Sequence, residues 1–181
     1  NGGNHPSKIV GEMRSNIERL VESAAIVLGI NNGVAKGDVV IGNDGKPRII
    51  ELAARLSGGD FSESLIPLGS GVNIVKEAIK VALGDSPNVN NLSEQWERSV
   101  ANRYFFGNPG ILKSITGLDD VKGFPWLNKF EIWAQPGDEI KQIKFHAGRL
   151  GVFIVSGDTY VEVQERVQII YNLVKFNIQS N

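Results

Sequence analysis

The sequence contains no cysteine, which excludes disulfides, thiolate nucleophiles and Cys-ligated zinc. It has only two histidines, His5 and His146, so a His-rich metal centre is excluded too. It lacks an excess of either charge. Lys plus Arg is 19 and Asp plus Glu is 20, a net charge of −1. Such a chain has no general field for nucleic acid or an anionic membrane, and neither is expected as a partner. No apolar run approaches the roughly 18 residues needed to span a bilayer. There is no initiator Met and no signal-peptide pattern, and the chain is expected to be a piece of a larger, cytoplasmic protein. Disorder is excluded by an ordinary globular composition of 41% apolar and 22% charged residues. Glycine is what it has in excess, with 21 residues, pointing to tight turns or close backbone approach to a ligand.

A length of 181 residues suits one large domain or two small ones. From Ser7 to Leu28, Val10, Met13, Ile17, Leu20, Val21, Ala24 and Leu28 recur at steps of three and four. This predicts an amphipathic helix, with Pro6 in its first turn and Gly29 as its C-terminal cap. Val72 to Leu83 predicts a second helix, followed by Gly84. The polar stretch from Asp85 to Asn91 reads as a linker or long loop. Strand-like runs follow at Val100–Phe106, Phe130–Ala134 and Gly151–Val155. A last helix starts at Thr159, which has capping-box spacing to Glu162, and a polar tail ends the chain. The expected organisation is two α+β domains, residues 1–88 and 89–181.

Between the first two helices, Asp38-Val39-Val40-Ile41 and Arg48-Ile49-Ile50-Glu51 flank Asn43-Asp44-Gly45-Lys46. Asp44-Gly45 predicts a two-residue hairpin turn. Opposed residue numbers then sum to 89, so Ile41 faces Arg48, Val39 faces Ile50 and Asp38 faces Glu51. Pro47 falls in a pair that asks for no N–H. Asp38 and Glu51 then share one face with Cβ atoms about 5 Å apart. Two carboxylates at that distance repel by about 3 kcal/mol at an effective dielectric near 20. A hard cation between them removes the repulsion, and Mg²⁺ takes its further oxygens from water and phosphate. The same acids could equally be an exposed pair separated by solvent. Glu51, Ala53 and Arg55 point the same way along a strand. Arg55 can reach an oxyanion held by a metal, or simply pair with a carboxylate. Ser57-Gly58-Gly59 offers backbone N–H groups to an anionic ligand.

The stretch Gly33-Val34-Ala35-Lys36-Gly37-Asp38, the turn, and Ile50 to Gly59 resembles the metal-binding half of the ATP-grasp superfamily. It is most similar to the biotin-carboxylase-like branch that includes the L-amino acid ligases. The resemblance runs from about His5 to Gly84. It continues more loosely through Phe145-His146-Ala147-Gly148-Arg149-Leu150-Gly151 to the final helix. It implies an α+β fold: an antiparallel sheet with flanking helices, the C-terminal half of an ATP-grasp domain, plus a small α+β C-terminal domain.

It also implies that Asp38 and Glu51 are ligands to Mg²⁺ or Mn²⁺ bridging the phosphates of ATP. Arg55 would hold the transferred phosphate or the substrate carboxylate, as both catalytic and binding residue, with Ser57, Gly58 and Gly59 lining the acceptor site. The parent would be a carboxylate–amine ligase working through an acylphosphate, with small-molecule carboxylate and amine substrates. Ala53 departs from the Asn that often supplies a further metal oxygen, which bears on how many ions bind. No nucleotide-binding lysine or mobile Gly-rich loop precedes His5. The missing N-terminal half of the same polypeptide is therefore an expected partner, and the fragment alone is expected to be inactive. A homodimer is compatible with the resemblance. His146 is a further candidate base, more readily a packed or solvated residue. Two alternatives stay open: a carboxylase of the biotin carboxylase type, and a non-catalytic module derived from the same fold.

Overall fold

The computed structural model describes residues 2–142 and 148–180. They divide into two compact units. One is Ser7–Gln95, and the other joins Asn1–Pro6 to Trp96–Asn181. Residues 2–6 group with the C-terminal unit.

In the unit Ser7–Gln95, helix α1 spans Gly11–Val27. It starts later than the periodicity predicts, so Pro6 lies outside its first turn. The entry is a non-helical turn, in which the Ile9 N–H donates to Ser7 Oγ at 3.1 Å and Val10 is extended. Its end agrees with expectation. Gly29 has φ +75°, its N–H donates to the Ile26 carbonyl, and the Ile30 N–H donates to the Ala25 carbonyl. Those two bonds satisfy carbonyls that the last turn would otherwise leave open.

Strands β2 (Lys36–Ile41) and β3 (Pro47–Ala53) form an antiparallel hairpin. One face turns to α1: a Cβ at Gly37 would stand 2.8 Å from Val21 Cγ2. After β3 comes a π-helical turn, Phe61–Leu65, running straight into the short helix α2, Ile66–Ser70. The sequence pattern does not signal either. Helix α3, Ile74–Ala82, is capped by Asn73, whose side chain accepts from the Lys76 N–H at 2.9 Å. The stretch read as a loop contains a 3₁₀ turn, Val89–Leu92. It is anchored by Glu77, whose buried carboxylate accepts from the Lys80 ammonium (2.9 Å), the Asn88 N–H (2.8 Å) and Asn91 Nδ2 (2.8 Å). These three bonds hold the Glu77 carboxyl down at about 2.

The second unit is built on a four-stranded antiparallel sheet of order β1-β4-β8-β6. Its strands are β1 (Gly2–His5), β4 (Ser99–Phe105), β6 (Leu127–Ile132) and β8 (Gly151–Gly157). A three-stranded sheet of order β7-β5-β9 contains β5 (Gly110–Thr116), β7 (Glu139–Ile140) and β9 (Lys175–Gln179). Helix α4 (Tyr160–Leu173) packs on β4 and β8. Thr159 caps α4 as expected, with Oγ1 accepting from the Glu162 N–H at 3.2 Å. All seven residues of β8 are buried, which fits a central strand that is apolar on both faces. Phe105 and Phe153 are the aromatic centre, 5.1 Å apart, with Tyr171 edge-on to both. The polar tail expected after the last helix is instead β9, paired antiparallel with β5.

Candidate functional site

The site residues lie on the β2–β3 hairpin and the turn that follows it. Asp38 and Glu51 are direct cross-strand partners, as the spacing predicts, but the register that produces this differs near the turn. The Gly42 N–H donates to the Lys46 carbonyl and the Gly45 N–H to the Gly42 carbonyl, both at 2.9 Å. The loop is therefore Asn43-Asp44-Gly45, one residue longer than predicted, with Gly45 in the left-handed region at φ +73°. Near the turn Val39 pairs with Ile49, Val40 with Arg48 and Ile41 with Pro47. The predicted pairs Val39–Ile50 and Ile41–Arg48 do not form. A register shift between Asp38 and Val39 then leaves Ile50 as the extra residue on β3. From Glu51 onward the predicted pairing is restored: Gly37 opposes Leu52 and Lys36 opposes Ala53.

Alternation along the strands sorts the side chains. Gly37 and Leu52 fall on the α1 side. Lys36, Asp38, Glu51 and Ala53 fall on the other. The Asp38 and Glu51 side chains are 51% and 55% exposed, so this face is open to water and to a ligand.

Lys36 joins the site without a sequence motif to mark it. Its ammonium hydrogen-bonds the Asp38 carboxylate and stands 3.5 Å from Glu51 Oε1. The bond to Asp38 raises the lysine above its ordinary value, opposed by partial covering, with Glu51 adding to the rise. Its position two residues before Asp38 on one strand, hence on the same face, was the available signal. Arg55 lies on the same side, with Nη2 3.7 Å from Glu51 Oε1, while its Nη1 donates to the Leu56 carbonyl at 3.0 Å. As exposed ion pairs these add little to stability, because water screens them. Their consequence is positional: two cations and two carboxylates share one patch.

The turn beyond β3 brings Ser57, Gly58 and Gly59 next to the π-helical segment. The Ser57 N–H donates to Ser62 Oγ at 2.9 Å. This N–H is thus engaged within the turn. Gly59 is left-handed at φ +66°, and a Cβ at Gly58 would meet nothing within 4 Å. His146 and the adjoining Phe145 and Ala147 lie outside the described residues.

For a divalent ion the donor set is two hard carboxylate oxygens on one open face, with room for water and phosphate to complete the shell. That fits Mg²⁺ or Mn²⁺. Among the described residues no group of three or more Asp, Glu, His or Cys could hold a metal, so water or a ligand would supply the rest of the coordination. No helix among them is long and apolar enough to cross a membrane.

Residues 103–179 match the family model described as L-amino acid ligase C-terminal domain 2. The match lies in the second unit and leaves the hairpin outside it. No curated protein matches the chain. Among solved structures, it is similar to an L-amino acid ligase from Bacillus licheniformis, with a TM-score of 0.84 and 23% identity over 98% of this chain and 44% of that one. It is similar to a phosphoribosylglycinamide synthetase from Anaerococcus prevotii, also at 0.84, with 20% identity over 98% and 45% of the two chains. A third likeness is the biotin carboxylase domain of 2-oxoglutarate carboxylase from Hydrogenobacter thermophilus, solved as a dimer with MgADP and bicarbonate. Its TM-score is 0.61 at 17% identity, over 97% of this chain and 38% of that one. These likenesses carry the fold. The chain is an α+β protein that shares its fold with part of each of these structures, and it spans less than half of their length.

Proposed function

We propose that this chain is the C-terminal part of an ATP- and Mg²⁺-dependent carboxylate–amine ligase. The observation that carries the reading is the direct opposition of Asp38 and Glu51 on an open sheet face. Asp38 and Glu51 would hold the divalent ion. Bound there with ATP, the ion supplies charge neutralisation at the phosphate oxygens. Arg55 extends from the same face and stabilises the transferred phosphoryl group or the substrate carboxylate. Gly58 and Gly59 form the adjoining wall, where absent side chains let an acceptor approach the backbone.

In the parent reaction a substrate carboxylate attacks the γ-phosphate, ADP leaves, and the acylphosphate is captured by an amine with release of phosphate. The match of residues 103–179 to an L-amino acid ligase domain supports an amine acceptor over bicarbonate. The nucleotide pocket belongs to the N-terminal portion of the same polypeptide, so this chain alone is inactive. A cytoplasmic homodimer is the assembly this reading favours.

Glu51→Gln in the full-length ligase tests the reading through ADP formation. Loss of ion-held charge neutralisation is expected to slow it roughly 100-fold. Unchanged turnover would remove Glu51 from the site.

A further inference from the structure

We propose that Lys36 is a built-in counter-cation of the acidic pair and restricts that pair to a single divalent ion. The proposal rests on the reading that Asp38 and Glu51 hold such an ion, and it goes further by fixing the number of ions and naming what sets it.

Four observations converge on Lys36. Its ammonium hydrogen-bonds Asp38 and approaches Glu51 to 3.5 Å, so it touches both halves of the pair. Its side chain is only 20% exposed, against about half for each acid. It is therefore held against the protein rather than swinging through solvent. Its cross-strand partner is Ala53, which brings no donor atom to the spot where a second ion would need one. Among the described residues no third acid or histidine joins the two carboxylates.

Charge then decides the stoichiometry. One dication beside two carboxylates, the Lys36 ammonium and the Arg55 guanidinium leaves a local excess of two positive charges, which phosphate oxygens reduce. A second dication would double that excess with no further protein ligand among the described residues. The lysine takes the place of the second ion and weakens the first by like-charge repulsion.

The test is a Mn²⁺ titration of the 181-residue chain, reading free Mn²⁺ by electron paramagnetic resonance, with melting curves confirming that each variant folds. Wild type is expected to bind one Mn²⁺ weakly, and Asp38→Asn to abolish binding. Lys36→Gln should bind roughly tenfold more tightly, the effect of removing one unit charge about 5 Å from a dication in a largely aqueous dielectric. Lys36→Arg, which keeps the charge, should stay near wild type. Two ions on the wild type would overturn the proposal. So would a Lys36→Gln affinity equal to or weaker than wild type while Asp38→Asn still abolishes binding; the metal reading would then survive without Lys36. Binding unaffected by Asp38→Asn and Glu51→Gln, or absent in every variant, would overturn the metal reading and this proposal together.

Discussion

Asp38 faces Glu51 across the β2–β3 ladder because one residue of β3, Ile50, is left without a partner. The three-residue loop sets a register in which Asp38 would otherwise face Ile50. In an unbroken ladder of that register Glu51 would point through to the α1 side, since a slip of one residue exchanges the faces. The bulge restores both acids to the open face, beside Lys36 and Arg55. Turn geometry, bulge and charge constellation are thus one linked arrangement.

The turn is the first place to test this. Gly45 sits at φ +73° with open space around its missing Cβ, so replacement meets backbone strain and no clash. Gly45→Ala should destabilise the unit Ser7–Gln95 by about 1–2 kcal/mol, read as a lower denaturant midpoint. An unchanged midpoint would show that the loop does not need the left-handed residue.

Glu77 ties α3 to the 3₁₀ turn that follows it. Its folded value of about 2 lies below the ordinary 4.5. Its contribution to stability is therefore complete above pH 4.5 and is lost as pH falls through about 2. Glu77→Gln should lower the melting temperature by a few degrees at pH 7. The gap from wild type should narrow as the pH falls through that window. A gap independent of pH would remove the ionised carboxylate from the account.

The second unit depends on a different kind of interaction. Phe153 is fully buried on the central strand β8 and contacts the rings of Phe105 and Tyr171. Phe153→Ala should cost about 3–5 kcal/mol, seen as early unfolding of that unit in thermal denaturation. A loss under 1 kcal/mol would mean that the core is not organised around this strand.

What the sequence made legible follows local chemistry. The ends of α1 and α3 were readable because Gly29 and Gly84 take left-handed φ values beyond a periodic apolar stripe. The acidic pair was readable because its spacing survives the compensation between a longer turn and a bulge. The register close to the turn was not, since Asp44-Gly45 also suits the longer loop in which Gly45 alone is left-handed. Strand β1 is not legible because Gly2-Gly3 carries no β-branched or aromatic signal. Strand β9 follows α4 after the single residue Val174, so its alternation of Phe176 and Ile178 merged with the helical period. Lys36 is not legible as a site residue because a lone lysine on a strand face carries no pattern that separates an ion-pair partner from a solvated side chain.

The claim on which the functional reading rests is that Asp38 and Glu51 share a divalent ion. Paramagnetic broadening of backbone amide signals by substoichiometric Mn²⁺ in the 181-residue chain tests it directly. The account predicts selective loss of the Lys36–Asp38 and Glu51–Ala53 signals, abolished in Asp38→Asn. Uniform broadening, or broadening centred on acids elsewhere, would contradict it.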